Sequence, residues 1–318
     1  MEPRYRWSVS TLAAVAFLSI STICTQTIAL ANPQTAVPEL QAELISPPPG
    51  ANDWDCRPTT AHPRPVVLVH GTASDMATTW RVLSPELKAE GYCVFALNYG
   101  GAPRAVPPFT TVWGVQDIRS SARELATFVD AVRSRTGSRQ VDIVGHSQGG
   151  TMARQYLRFE GGANFANPAE NKVHSLVTLG ATNHGTTWDG DILVRLRELA
   201  AAHGFDNETL DQFLFGVAVS QQTVGSSLLE ELNLDGDVDA GVNYTVIASR
   251  TDTMVTPPES TFLSSDGRAS VNNVWVQDRC PSEQTSHNGL LSDAQSLYLV
   301  NTALDPTYAD RHTAPCGS

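Results

Sequence analysis

The junction between Val141-Asp142-Ile143-Val144 and Gly145-His146-Ser147-Gln148-Gly149 constrains this chain more than any other stretch. The first segment reads as a strand. The second fits the pattern G-x-S-x-G, and a helix follows from Gly149 to about Phe159. A strand-to-helix turn this tight leaves no room for a Cβ on either side of the serine, so glycines flank it. Such a turn lifts the serine hydroxyl above the carboxyl end of a sheet. The five-residue pattern alone is weak, because glycine and serine coincide often. Its place between a strand and a helix is what gives it weight.

The rest of the chain repeats this alternation. Val66-Val67-Leu68-Val69 is a continuous apolar run, as expected of a strand buried on both faces. A helix around Pro85 ends near Gly91, and Cys93–Leu97 is the next strand. Ile118, Ala122, Leu125, Val129 and Val132 recur at helical spacing, with Gly137 as the stop. Val173–Leu179, Tyr244–Ala248 and Val271–Val276 complete the strands. Strands alternating with helices predict an α/β fold, a mostly parallel central sheet covered by helices on both faces. Residues 187–233 hold two helical patterns and no strand, and read as a helical lid or cap inserted over the sheet edge. Asp235-Gly236-Asp237-Val238-Asp239 resembles the start of a calcium loop but lacks the glycine and the acid such a loop needs, so it reads as a solvated turn.

A serine hydroxyl is a poor nucleophile unless a base takes its proton and a carboxylate orients that base. In a fold of this kind they follow in the order serine, acid, histidine. Asp252 lies four residues past the strand Tyr244–Ala248, in a loop at the carboxyl end, and is the candidate acid. Asp278 is its rival one strand later, although Arg279 beside it suits a surface pair. His287, in the loop before a final helix, is the candidate base. His312 reads as surface, and His146 as a packing or structural group. The oxyanion formed on attack needs two amide donors. Gln148, at the start of its helix, and Thr72, in the turn His70-Gly71-Thr72 after Val66–Val69, are the candidates.

Composition bounds the partners and the compartment. The chain has 318 residues, enough for one such domain over 61–318. A net charge of -12 argues against a nucleic acid partner. Arg4 and Arg6, an apolar run from Trp7 to Ile23 and Ala29-Leu30-Ala31 read as a signal peptide over 1–31, cleaved after Ala31, so the protein is expected to be secreted and without a transmembrane anchor. Serines and threonines dilute the run below what a span needs. Residues 32–60 read as an extended N-terminal segment, because Pro33, Pro38 and Pro47–Pro49 discourage helix and sheet. Cys56, Cys93, Cys280 and Cys316 remain after cleavage, an even number in an oxidising compartment. Of three pairings, Cys56–Cys93 and Cys280–Cys316 are favoured, one near each end of the domain. No cysteine or histidine spacing supports a metal site.

His70-Gly71-Thr72, Gly145 to Gly150, Asn183-His184-Gly185-Thr186-Thr187 and Ser286-His287-Asn288-Gly289-Leu290 resemble secreted bacterial triacylglycerol lipases and esterases of the α/β-hydrolase superfamily. The resemblance runs from about Cys56 to Asp305. It implies a Ser147–Asp252–His287 triad, Thr72 and Gln148 as oxyanion donors, and ester hydrolysis without an organic cofactor. The expected partner is a lipid or ester molecule, met by a monomer at a lipid–water interface. Relatives often carry a cysteine pair in the insertion; Ala218, Val219 and Ser220 stand there instead, which puts the behaviour of the lid in question. Leu210, Phe213, Leu214, Phe215 and Val217 form an apolar cluster in it. Phe213, Phe215 and Trp188 are candidate substrate contacts, against core packing as the ordinary fate of such residues, which Trp80 and Trp113 share. If the insertion meets substrate, the acyl group is apolar. An acyltransferase on the same fold and a binding protein without catalysis are the other readings.

Overall fold

The apolar runs of the sequence become the strands of one sheet. A computed structural model of the protein describes residues 46–103, 110–188, 191–204, 206 and 216–316, and of 191–196 the backbone alone. The strands are β1 (Val66–Val69), β2 (Val94–Leu97), β5 (Val141–His146), β6 (Val173–Leu179), β7 (Asn243–Ala248) and β8 (Ser270–Trp275); β3 (Ala102–Pro103) and β4 (Thr111–Val112) form a separate small ribbon. The six lie in the order β2-β1-β5-β6-β7-β8, and every neighbouring pair is parallel. The predicted sheet is therefore present, wholly parallel in its six main strands.

Alternation along the strands divides the core in two. Val67 and Val69 face one layer; Val66 and Leu68 face the other. The first layer is covered by helices Ile118–Thr136 and Gln148–Phe159, the second by Leu83–Ala89 and Ala294–Leu304. The stripe Ile118, Ala122, Leu125, Val129 and Val132 is fully buried, each of its larger members contributing about 1.5–3 kcal/mol. Asp117 caps that helix by accepting from the Ser120 amide, and Gly137 ends it in the left-handed region at φ 73°.

The order of the strands reverses at β1: β2 lies on one side of it and β5 on the other. The loops leaving β1 and β5 at their carboxyl ends thus part around a crevice, where parallel sheets bind ligands. The sheet's far edge, β2, is covered. Asn52 donates its backbone N–H to the Val94 carbonyl (2.9 Å), and its side chain both accepts from the Ala96 amide (2.8 Å) and donates to the Ala96 carbonyl (2.9 Å). The end of the proline-rich segment is therefore bound along the edge strand. Cys56 pairs with Cys93 and Cys280 with Cys316, Cα atoms 5.8 and 5.4 Å apart. No described helix is long and apolar enough to cross a membrane. Residues 1–31, read from the sequence as a signal peptide, lie outside the described residues.

Among the described residues of the segment 187–233 are helices Asp191–Ala202, Val217–Gln221 and Ser227–Asn233. Ala218 and Val219 are buried, and Val219 packs on Trp188. Leu210, Phe213, Leu214 and Phe215 lie outside the described residues.

One expectation is overturned here. Asp235–Asp239 is not a solvated turn: Asp237 and Asp239 are buried. The reason lies on helix Gln148–Phe159, whose inner face carries Arg154 and Arg158. Arg158 donates to Asp239 (3.1 Å) and to three carbonyls of the turn region, and Arg154 donates to the Asp237 carbonyl. A buried guanidinium needs such acceptors, and the aspartate-rich turn supplies them.

Candidate active site

Ser147 stands at the first position after β5, with φ 54° and ψ -127°. A non-glycine residue in that region is strained, and here the neighbours enforce it. The Ser147 amide donates to the Leu179 carbonyl across the sheet (2.9 Å). A Cβ on Gly149 would lie 2.3 Å from the Val69 carbonyl oxygen, and one on Gly145 2.7 Å from the Gly150 nitrogen. Both glycines of the pattern are thus required by close approach of the chain, and the helix from Gln148 begins directly beneath the serine.

His287 and Asp252 come together from loops beyond β8 and β7. His287 donates from Nδ1 to Asp252 Oδ2 at 2.7 Å, and both residues are buried. The other oxygen of Asp252 accepts from the amides of Met254 (2.8 Å) and Val255 (3.0 Å), so the carboxylate is held on both sides. Ser249 and Thr251 donate their hydroxyls to the Thr285 carbonyl, which joins the two loops just ahead of the pair. Asp278 lies apart: it is half exposed, binds Arg250 at 2.9 Å and accepts from the Trp275 amide. His312 is a surface residue, stacked on Tyr308.

His146 reaches from the strand end to the same loop. Its Nε2 donates to the His287 carbonyl (3.2 Å) and its ring lies 4.7 Å from that of His287. Burial, helped by the neighbouring His287, holds its pKa well below the ordinary value, so it stays neutral.

Ser147, His287, Thr72, Trp188, Val219, Met254, Val255 and Leu291 line one cavity of about 350 Å³ with mostly apolar walls. Thr72 follows β1 and enters the cavity wall. Its hydroxyl accepts from Gln222 (2.8 Å), a buried residue of the insertion that also donates to Ala218 and accepts from Thr182. Gln148 begins its helix, where backbone N–H groups lack helical partners and the dipole favours a negative charge. Trp188 is buried at the cavity wall and bonded to Thr223; Trp80 is wholly in the core.

Gly180 was not singled out from the sequence. It lies at the end of β6 with φ 55°, and a Cβ there would fall 3.1 Å from His287 Nδ1 and 3.2 Å from Asp252 Oδ2. Its one signal is position, a glycine directly after the strand Val173–Leu179.

A parallel sheet whose carboxyl edge presents a serine on a strained turn beside a buried histidine–carboxylate pair is the α/β-hydrolase fold. Within that class, the family model Lipase (class 2) matches residues 63–298, and the chain belongs to this family. Triacylglycerol lipases from Pseudarthrobacter phenanthrenivorans and Burkholderia plantarii are each 28% identical over 127 residues, 38% of this chain and 34% and 30% of theirs. The match therefore spans about a third of the length of these curated relatives. Aspergillus fumigatus lipase B shares the fold, with a TM-score of 0.56 at 18% identity, over 83% of this chain and 56% of that one.

Proposed function

We propose that the protein is a secreted carboxylic-ester hydrolase, a triacylglycerol lipase or esterase acting on apolar acyl esters. The observation that carries the reading is the buried His287–Asp252 pair on the cavity that Ser147 also lines. Ser147 Oγ attacks the ester carbonyl carbon while His287 Nε2 takes its proton, and Asp252 stabilises the imidazolium. The oxyanion accepts hydrogen bonds from the amides of Thr72 and Gln148. Collapse breaks the carbonyl–alkoxide bond, and His287 returns the proton to the departing alcohol. Water then attacks the acyl-serine by the same steps, releasing the acid and restoring Ser147.

The walls support the choice of substrate. Trp188, Val219, Met254, Val255 and Leu291 present apolar surface to the acyl group, and among the described residues the lining holds no Lys or Arg to recognise a charged one. Residues 1–31 are read as the leader that exports the chain, and two disulfides fit an oxidising compartment. The test is hydrolysis of p-nitrophenyl esters from acetate to palmitate, by the native protein and by Ser147→Ala. The native protein should be active, and the variant should lose about 10⁴-fold or more in kcat. Equal activity in both would exclude Ser147 as nucleophile.

A further inference from the structure

Two amides that share one oxyanion must hold their spacing to within about 0.5 Å. Here they sit on segments far apart in sequence, the loop after β1 and the first residue of the helix after β5. One buried hydroxyl spans both. Tyr99, two residues beyond β2, is fully buried. Its O–H lies 2.6 Å from the His70 carbonyl oxygen and 2.9 Å from Gln148 Oε1. A single proton is shared between two acceptors, one on each arm of the site.

The ring adds a second hold. Tyr99 stacks on the His70 imidazole, with centroids 4.4 Å apart and planes 16° from parallel. That imidazole donates from Nδ1 to the Gly71 carbonyl at 2.8 Å. In a trans peptide the C=O and N–H point in opposite directions. Anchoring the Gly71 oxygen therefore fixes which way the Thr72 N–H faces. The Tyr99 carbonyl also accepts from Gly114 (2.8 Å), and a Cβ on Gly114 would lie 2.7 Å from the Gly71 oxygen and 3.3 Å from Gln148 Oε1. The segment is packed directly against both arms.

Protonation states agree with these bonds. Burial, with the charge of Glu124 adding to it, raises the Tyr99 pKa well above its usual value, so the donor proton stays. Burial lowers His70 to about 4, which leaves it neutral with its proton on Nδ1.

We propose that Tyr99 is a positioning residue of the oxyanion site, its hydroxyl holding the His70-Gly71-Thr72 loop and Gln148 at the spacing their amides need. This rests on the ester-hydrolase reading and adds to it a residue that is not part of the cavity lining.

Tyr99→Phe removes the oxygen and keeps the stacked ring. With p-nitrophenyl butyrate and the full-length chain, kcat should fall about tenfold or more while KM stays within about twofold, because oxyanion contacts strengthen in the transition state. Wild-type kcat, or a loss carried by KM alone, would overturn the proposal; so would a lowered Tm with kcat unchanged. Should the phenylalanine variant fail to fold, Gln148→Met decides. It keeps the backbone amide and removes the oxygen Tyr99 holds, and a kcat reduced at constant KM supports the proposal where a wild-type kcat overturns it. Native protein and Ser147→Ala are assayed alongside. An inactive native protein would overturn the hydrolase reading together with this one, whereas an active native protein with Tyr99→Phe at full kcat would overturn this one alone.

Discussion

Single residues decide the chemistry, and they differ in how they announce themselves. Ser147, Asp252 and His287 are candidates on residue type and position alone, Ser147 directly after β5 and the other two in loops beyond β7 and β8. Asp252 and Asp278 were harder to separate, since both follow strands. Burial separates them: Asp252 binds His287 and two amides out of water, and Asp278 pairs with Arg250 at the surface. Asp252→Asn should therefore cost kcat about 10⁴-fold, because an amide cannot hold the histidine in the tautomer it needs. Asp278→Asn should leave kcat within about twofold, since an exposed ion pair contributes little. Steady-state kinetics on both variants checks the pair. Gly180 and Tyr99 were not legible, because their roles lie in a close approach and in a shared proton, which leave no repeat or motif.

At the level of elements, the apolar runs marked the strands to within a residue or two, and the spacing of Ile118 to Val132 marked its helix. Those signals come from burial on a regular surface, and the sheet and its flanking helices consist of little else. Turns answer to long-range partners instead. Asp235–Asp239 looked like a solvated acidic turn because nothing local shows that Arg154 and Arg158 need it from inside the next layer. Asp239→Ala would leave Arg158 buried beside carbonyls alone. Breaking one side of a buried pair costs about 3–5 kcal/mol, so a clear fall in Tm is expected, with kcat per folded molecule largely kept. The thermal melt with a matched activity assay reads both; an unchanged Tm would mean the pair contributes nothing. The insertion is linked to the site through Gln222, which bonds Thr72 from 150 positions away, a contact no sequence window contains.

The whole molecule carries a pH signature. His70 and His146 are both buried and both depressed, His70 from 6.5 to about 4. As pH falls below 6.5 the unfolded chain takes up protons on these residues that the folded protein refuses. The unfolded state then binds more protons, so stability rises with pH between about 4 and 6.5 and is flat above that on their account. For His70 the slope approaches about 1.4 kcal/mol per pH unit in the middle of that window, and His146 acts in the same direction. Denaturant titrations at pH 7.5, 6 and 5 should show the midpoint falling with acidification. His70→Asn should flatten part of that slope, and an unaltered slope would remove His70 from the account. The account as a whole stands on Ser147 being an activated nucleophile in the intact fold. The most direct test is reaction of the native protein with a fluorophosphonate, followed by peptide mass mapping. One adduct per chain on Ser147, absent after heat unfolding and absent in His287→Ala, is the expected result; no adduct, or an adduct on another residue, would contradict it.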